Sequence, residues 1–354
     1  MNNSFYNNFL DGGYIREFIH LEIITAFTSM ISRVLILISL ACFVQAWTNK
    51  ETEDFKGFMN KYRLHYSNET GEFDRRMKIF NDNVKAIDAL NKGKGHGGQY
   101  GINKFSAMTP EEFQQTMLMP KSMDPQKNKN KVPKAKPDRH PRHKRQSIPT
   151  SYDYRDYGWV TPVRDQGQCG SCWAFTAIAA LESNLLSFQG SNLDLSEQSL
   201  VDCETQSYGC NGGWLDYAID HIQQFGVPLE ANYPYIEADS GTCFSANGVT
   251  YNNIDYWLID SEADIPYHIY YYGPVGFYFG VPSAFQYYTG GVFDVSSCDN
   301  IDGYHEVTIV GYTPDYWIVK NSWGTGWGDD GYVYYKRGKN LCGIENELIA
   351  TTIA

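Results

Sequence analysis

Between Glu72 and Asn91 polar and apolar positions recur with a helical period. Glu72, Arg76, Phe80, Asn83, Ile87 and Asn91 follow at steps of four, four, three, four and four, so all six share one helix face. Taken alone, this is an amphipathic surface helix. Residues 47 to about 120 read as mainly helical. Within them Gly101 to Phe105 alternates like a short strand, and Thr109-Pro110-Glu111-Glu112 has the form of an N-cap with proline at the first helical position. Beyond residue 148 the pattern changes. "CWAFTAIAALESNLLSFQG" predicts a helix opened by Ser171 and Cys172 and closed by Gly190, and "LSEQSLVDC" a second with Ser196 as N-cap. "YYGPVGFYFG", "HEVTIVGY", "DYWIVKNSW" and "GYVYYKRG" are β-branched and aromatic runs set off by Gly and Pro, hence strands. A helical half followed by a β half gives an α+β class. No internal repeat is visible.

Charge divides the chain more sharply than hydropathy. Residues 121–145 carry ten Lys and Arg against two Asp, with four prolines, as a solvated linker does. Residues 148–354 carry six Lys and Arg against 26 Asp and Glu, a formal charge of −20, which argues against nucleic acid as a partner. Near the start, Arg33 precedes an apolar run from Val34 to Val44, and Val44-Gln45-Ala46 is a small-residue cleavage pattern, so 1–46 reads as an extension plus secretory signal peptide. The apolar run falls short of the roughly 20 residues of a membrane span, so no stable span is expected. Met30 would itself open a signal of ordinary length. Arg142-His143-Lys144-Arg145 is either plain linker or the site of a furin-like processing protease.

The chemistry centres on "QGQCGSCWAF", with Cys169 and Cys172 three apart. A redox dithiol would sit in a βαβ unit, whereas Cys172 opens a long helix after a glycine-rich loop. Zinc needs about four ligands, and no second close Cys or His pair follows residue 148. No metal or other cofactor is expected. A thiol at a helix N-terminus suits a nucleophile, because free N–H groups and the helix dipole favour thiolate. Such a thiolate works best beside an imidazole that a third group orients. His221 and His268 compete with His305, but His305 heads a strand-like run and Asn321 follows in "KNSWG".

His305 and Asn321 lie 133 and 149 residues after Cys172, the spacing of papain and the cathepsins. From about Phe55 to the C-terminus, through "DQGQCGSCWAF", "LSEQSLVDC", "GCNGGW", "YWIVKNSWGTGWGDDGY" and "LCGIENE", the chain resembles a papain-family cysteine protease of the cathepsin-L-like kind. The periodic helix face matches the family's ERFNIN propeptide motif. The resemblance implies a two-lobed papain-like fold, a helical lobe beside a β-barrel-like one, after a mainly helical inhibitory propeptide. It divides the chain into leader 1–46, propeptide 47–120, basic linker 121–147 and mature domain 148–354.

It also implies roles. Cys172 attacks the peptide carbonyl, His305 pairs with it and protonates the leaving amine, Asn321 fixes the ring, and Trp323 shields that bond. Gln166 supplies an oxyanion donor together with the Cys172 N–H. Gly212 and Gly213 bind extended peptide by backbone. Trp214, Leu215 and Tyr278 line the pocket for the side chain two residues before the cut, with Glu347 at its floor. There a carboxylate would pair with arginine or lysine, unless Tyr278 shortens the pocket too far. Implied disulfides are Cys169–Cys210, Cys203–Cys243 and Cys298–Cys342, leaving Cys172 free; Cys42 departs with the leader.

Four positions depart from the family pattern: Tyr304 and Glu306 on either side of the histidine, Tyr278, and Ala107 in place of the last Asp of G-x-N-x-F-x-D. No histidine pair like that of the cathepsin B occluding loop is present, which favours endopeptidase action. Expected partners are peptide and protein substrates, the chain's own propeptide and cystatin-like inhibitors, acting on a monomer that is lysosomal or extracellular. Asn68 is the candidate glycan acceptor. Two rivals stand beside the protease: a catalytically silent peptide-binding or inhibitory relative, and a precursor whose main product is the free propeptide.

Overall fold

The computed structural model describes residues 48–93, 97–123, 147–245, 248 and 250–353. The expected signal peptide, most of the expected basic linker and the candidate Arg142–Arg145 site lie outside them. The chain divides into two units, 1–54 and 55–354. Of the first, the described residues open helix α1 (Asn49–Tyr62), where the Thr48 hydroxyl donates to Glu51.

In the second unit the periodic face becomes helix α2 (Glu72–Lys92), and it is no bland surface. Phe80 and Ile87 are buried, and the polar members each hold a partner. The Arg76 guanidinium reaches Glu72, Glu112 and the carbonyl of Ala107. Asn83 donates to the carbonyls of Ser106 and Met108, and Asn91 to that of Tyr100. Hence α2 organises the turn that follows. The strand expected at 101–105 lies three residues earlier, at β1 (Gly98–Tyr100). Residues 104–107 instead form turns, whose Ser106 and Ala107 carbonyls accept from Asn83 and Arg76 of α2, so the side-chain alternation there does not mark a strand. Helix α3 (Pro110–Met117) opens with a full capping box between Thr109 and Glu112.

Beyond residue 148 come β2 (Tyr152–Asp153), α4 (Cys172–Gln189), α5 (Glu197–Cys203), α6 (Leu215–Phe225), β3 (Asp255–Leu258), α7 (Ile265–Tyr271), β4 (Val275–Pro282), β5 (Tyr288–Phe293), β6 (Ile301–Tyr312), β7 (Tyr316–Lys320), β8 (Tyr332–Lys336) and β9 (Leu348–Thr352). As expected, α4 opens at Cys172 and ends at Gly190, at φ 68°, and Ser196 caps α5 through the Ser199 N–H. The sheet runs β1-β5-β8-β7-β6-β4-β9-β3, with β2 pairing β6. It is mixed and open. The barrel-like closure expected of the β half is absent, because β1 and β3 end the order without meeting.

Two apolar cores result, as a helical and a β lobe require. One gathers Trp173, Leu181, Leu200 and Ile219 around α4; the other gathers Phe277, Phe279, Val319 and Tyr335 on the sheet. Cys169–Cys210, Cys203–Cys243 and Cys298–Cys342 are bonded, and Cys172 is the one free cysteine among the described residues.

Candidate active site

Helix α4 begins at Cys172, and the loop before it is pinned from both sides. The Gln166 N–H bonds the Ser322 carbonyl at 2.8 Å, and the Gly170 N–H bonds the Cys210 carbonyl, also at 2.8 Å. A Cβ at Gly170 would stand 2.6 Å from that carbonyl oxygen, so the approach needs glycine. Ser171 caps no N–H; its hydroxyl bonds Tyr235, whose own hydroxyl donates to the Gln166 carbonyl at 2.8 Å. The Gln166 side chain is fixed too. Its Oε1 accepts from the Ser322 hydroxyl at 2.7 Å, and its Nε2 donates to the carbonyls of Cys169 (2.8 Å) and Met117 (3.3 Å).

The β6–β7 hairpin brings the imidazole and its partner together. His305 Nε2 lies 2.7 Å from Asn321 Oδ1, so Nε2 carries the proton and Nδ1 keeps its lone pair. Trp323 stacks on the ring at 4.4 Å with an interplanar angle of 28°, and is fully buried. Against its indole pack Phe105 and Phe113 of the N-terminal region.

Residues 117–123 lie in the cleft. The Met119 N–H and C=O both bond Tyr304, at 2.9 and 3.0 Å, and its sulfur accepts from the Gly213 N–H at 3.5 Å. Gly212, at φ 109°, passes under Met119 and Met123, where a Cβ would meet the Met123 sulfur at 2.5 Å. The Tyr278 hydroxyl donates to the Met123 carbonyl at 2.5 Å. Beneath this cover Cys172 and His305 are fully buried, and His305 Nδ1 accepts no hydrogen bond among the described residues. Burial pushes the Cys172 thiol well above its ordinary range, Glu306 adding to it, while backbone N–H groups oppose the shift. Burial lowers the His305 pKa to about 4 against the bond from Asn321. Burial thus shifts both groups toward their neutral forms in this covered state.

The remaining site residues lie close by. Trp214 stacks on Tyr278 at 5.7 Å, Leu215 and Glu347 are buried, and Tyr278 pairs with Glu306 across β4 and β6. Glu306 Oε1 accepts from the Leu215 N–H at 3.4 Å, while Oε2 has no hydrogen-bond partner among the described residues. Burial, Glu347 and Asp216 hold the Glu306 carboxyl well above the usual range. Among the described residues no group of three or more His, Cys, Asp or Glu is placed to hold a metal. Sequence reasoning missed Ser322, Tyr235, Met119 and Met123. Only "MLMP" (117–120), an apolar run just before the linker, carried a signal for Met119, and nothing in the sequence marked Met123.

The papain family cysteine protease model matches residues 148–352, and the cathepsin propeptide inhibitor domain (I29) matches 55–113. The chain is a papain-family cysteine protease with its propeptide. It is 36% identical to the thiol protease aleurain of Arabidopsis thaliana over 304 residues, covering 82% of this chain and 81% of that one. It is also 36% identical to cathepsin K of Mus musculus over 297 residues, covering 80% and 88%. Among solved structures, the recombinant stem bromelain precursor aligns with TM-score 0.74 at 34% identity, over 86% of this chain and 99% of that one. The digestive procathepsin L 3 of the Tenebrio molitor larval midgut aligns with TM-score 0.72 at 30% identity, over 86% and 100%. Among the described residues of the protease no helix is long and apolar enough to cross a membrane.

Proposed function

We propose that the protein is the zymogen of a secretory-pathway cysteine endopeptidase, cut between about 121 and 147 to release a mature domain from 148. The reading is carried by one arrangement: a free thiol opening α4, with an imidazole whose far nitrogen is held by Asn321 under Trp323. Once the cleft empties, water and substrate enter. His305 Nδ1 then takes the Cys172 proton, giving a thiolate–imidazolium pair at the helix N-terminus. The sulfur attacks the peptide carbonyl carbon, and the oxyanion forms against the Cys172 N–H and Gln166 Nε2. As the C–N bond breaks, His305 passes its proton to the leaving amine. Water, deprotonated by the same imidazole, cleaves the thioester, and the proton returns to the thiol.

Gly212 and Gly213 hold extended substrate by backbone, and Trp214, Leu215, Tyr278 and Glu347 line the pocket two residues before the cut. Residues 55–123 block this cleft until removed, and cystatin-like proteins would block it in trans. The enzyme acts as a monomer in a lysosome or outside the cell. The test is hydrolysis of unblocked and blocked peptides by acid-processed protein. Internal cleavage supports the reading, and no cleavage by protein whose Cys172 is fully alkylatable would sink it.

A further inference from the structure

The two donors proposed for the oxyanion, Gln166 Nε2 and the Cys172 N–H, stand on either side of a five-residue loop, two of whose members are glycine. So pliant a loop does not set their separation; what grips it does. Cys210 holds its middle, through the disulfide to Cys169 and the bond from the Gly170 N–H. Its two ends meet at one side chain, Tyr235. The Tyr235 hydroxyl lies 2.8 Å from the Gln166 carbonyl oxygen and 2.7 Å from Ser171 Oγ. A carbonyl only accepts, so the phenol proton goes to Gln166, and Ser171 donates to the phenol oxygen. Ser171 thereby gives up the ordinary task of a serine at this position, since its hydroxyl caps no N–H of α4.

The tyrosine is placed by the same elements. Its ring meets Phe175, in the first turn of α4, edge-on at 5.0 Å, and its N–H donates to Glu230 Oε1 at 2.7 Å. Glu237, two residues on, lies against Gly167, where any Cβ would run into its carboxylate. Burial raises the phenol pKa, and Glu197, Glu237 and Asp165 add to it against the bond from Ser171, so the hydroxyl keeps its proton at every working pH. We propose that Tyr235 is a positioning residue for catalysis: its hydroxyl ties the Gln166 carbonyl to Ser171 and so fixes the Gln166 side-chain amide and the Cys172 N–H at the separation that the oxyanion requires. The proposal rests on the reading of those two groups as oxyanion donors. Ser322 holds Gln166 from the sheet side, by its carbonyl and its hydroxyl, and Tyr235 holds it from the helical side.

The test compares processed wild type with Tyr235→Phe, which keeps the ring against Phe175 and loses both bonds, and with Ser171→Ala, which loses one. Active sites are counted by alkylation of Cys172. Each protein is read by peptide hydrolysis, by inhibition with a peptide aldehyde, whose adduct with the thiol places an oxygen among the donors, and by its rate with iodoacetamide, whose displacement by sulfur forms no oxyanion. Tyr235→Phe should lower kcat about tenfold, part of the 10²- to 10³-fold that follows loss of a whole donor, with KM held within about twofold. The aldehyde should bind about tenfold more weakly, and the iodoacetamide rate should stay within about twofold. Ser171→Ala should lower kcat about two- to fivefold in the same pattern, and the double variant should be no slower than Tyr235→Phe, because the bond between the two side chains is shared. The proposal is overturned if kcat does not fall, or if kcat and the iodoacetamide rate fall together, as a general loosening of the cleft would make them. Gln166→Ala beside them separates the two readings: an unchanged kcat there overturns the oxyanion assignment itself, whereas a large loss there with none in Tyr235→Phe overturns only the part of Tyr235. If Tyr235→Phe yields no alkylatable protein, Ser171→Ala decides on the same criteria. Wild type that is alkylated yet cleaves no peptide overturns the protease reading, and the aldehyde, which needs no turnover, then decides.

Discussion

His305 and Glu306 are consecutive residues of β6, both buried, and they build two different walls. Successive side chains of a strand face opposite ways, so one strand serves two tasks. On the first wall the imidazole is bonded to Asn321 and covered by Trp323, a neutral, aromatic, dry environment. On the second, Glu306 and Glu347 flank Tyr278, and one Glu306 oxygen has no hydrogen-bond partner among the described residues. Their protonation runs in opposite senses. Burial depresses the basicity of His305 and raises the pKa of Glu306, so in the covered state it favours the neutral form of each, deprotonated in one and protonated in the other.

The largest expected break of this comparison is at the first wall. Cys172→Ala in the processed enzyme should lower kcat about 10⁴- to 10⁶-fold, measured on any cleaved peptide. Gln166→Ala should lower kcat about 10²- to 10³-fold with little change in KM, as its proposed role as oxyanion donor requires.

Next come the pH limbs of the closed zymogen. His305 has a folded pKa lowered to about 4 from an ordinary 6.5, so its contribution to closure is full above about pH 6.5 and is lost as pH falls toward 4. Glu306 has a raised folded pKa, so its contribution is present below the ordinary 4.5 and is lost as pH rises through the folded value. Release of the pro-segment should therefore accelerate between pH 6.5 and 4 through the first wall. Glu306→Gln, which fixes the neutral form, should flatten the fall of zymogen Tm on the neutral side. A Tm profile identical to wild type above pH 6 would contradict the second wall's part.

Arg76→Ala should cost the closed form about 1–3 kcal/mol, because the guanidinium joins Glu72, Glu112 and the Ala107 carbonyl; thermal unfolding of the full chain measures it. The smallest effect is ionic: inhibition of the mature domain in trans by residues 47–147 should weaken severalfold between low and high salt, since the Lys- and Arg-rich stretch 121–145 is opposite in charge to residues 148–354, of formal charge −20.

Helix positions and caps were legible because each rests on local chemistry. A cap needs only Ser196 or Thr109 and the N–H groups three residues on, and the expectation that Cys172, His305 and Asn321 act together came from the resemblance carried by long motifs, with His305 and Asn321 found in contact. The order of strands was not legible, since the open mixed sheet depends on pairings such as β1 with β5 across some 190 residues. Nor was the strand at 98–100, because its ladder partner is β5, far along the chain, and the Asn91 side chain bonds the main chain of Tyr100. The row containing Tyr278 escaped for the same reason: three residues from three parts of the chain become neighbours only through register. Tyr278, Glu306 and Glu347 each stood out singly, and their lateral order did not.

The central claim is a nucleophile at Cys172 that residues 117–123 keep closed. The direct measurement is alkylation at about pH 5 without denaturant, in the full chain and after acid processing, with the labelled residue found by peptide mapping. The account predicts label on Cys172 alone, at least about tenfold slower in the full chain than in the processed protein. Equal rates in the two forms, or label on Cys169, would contradict it.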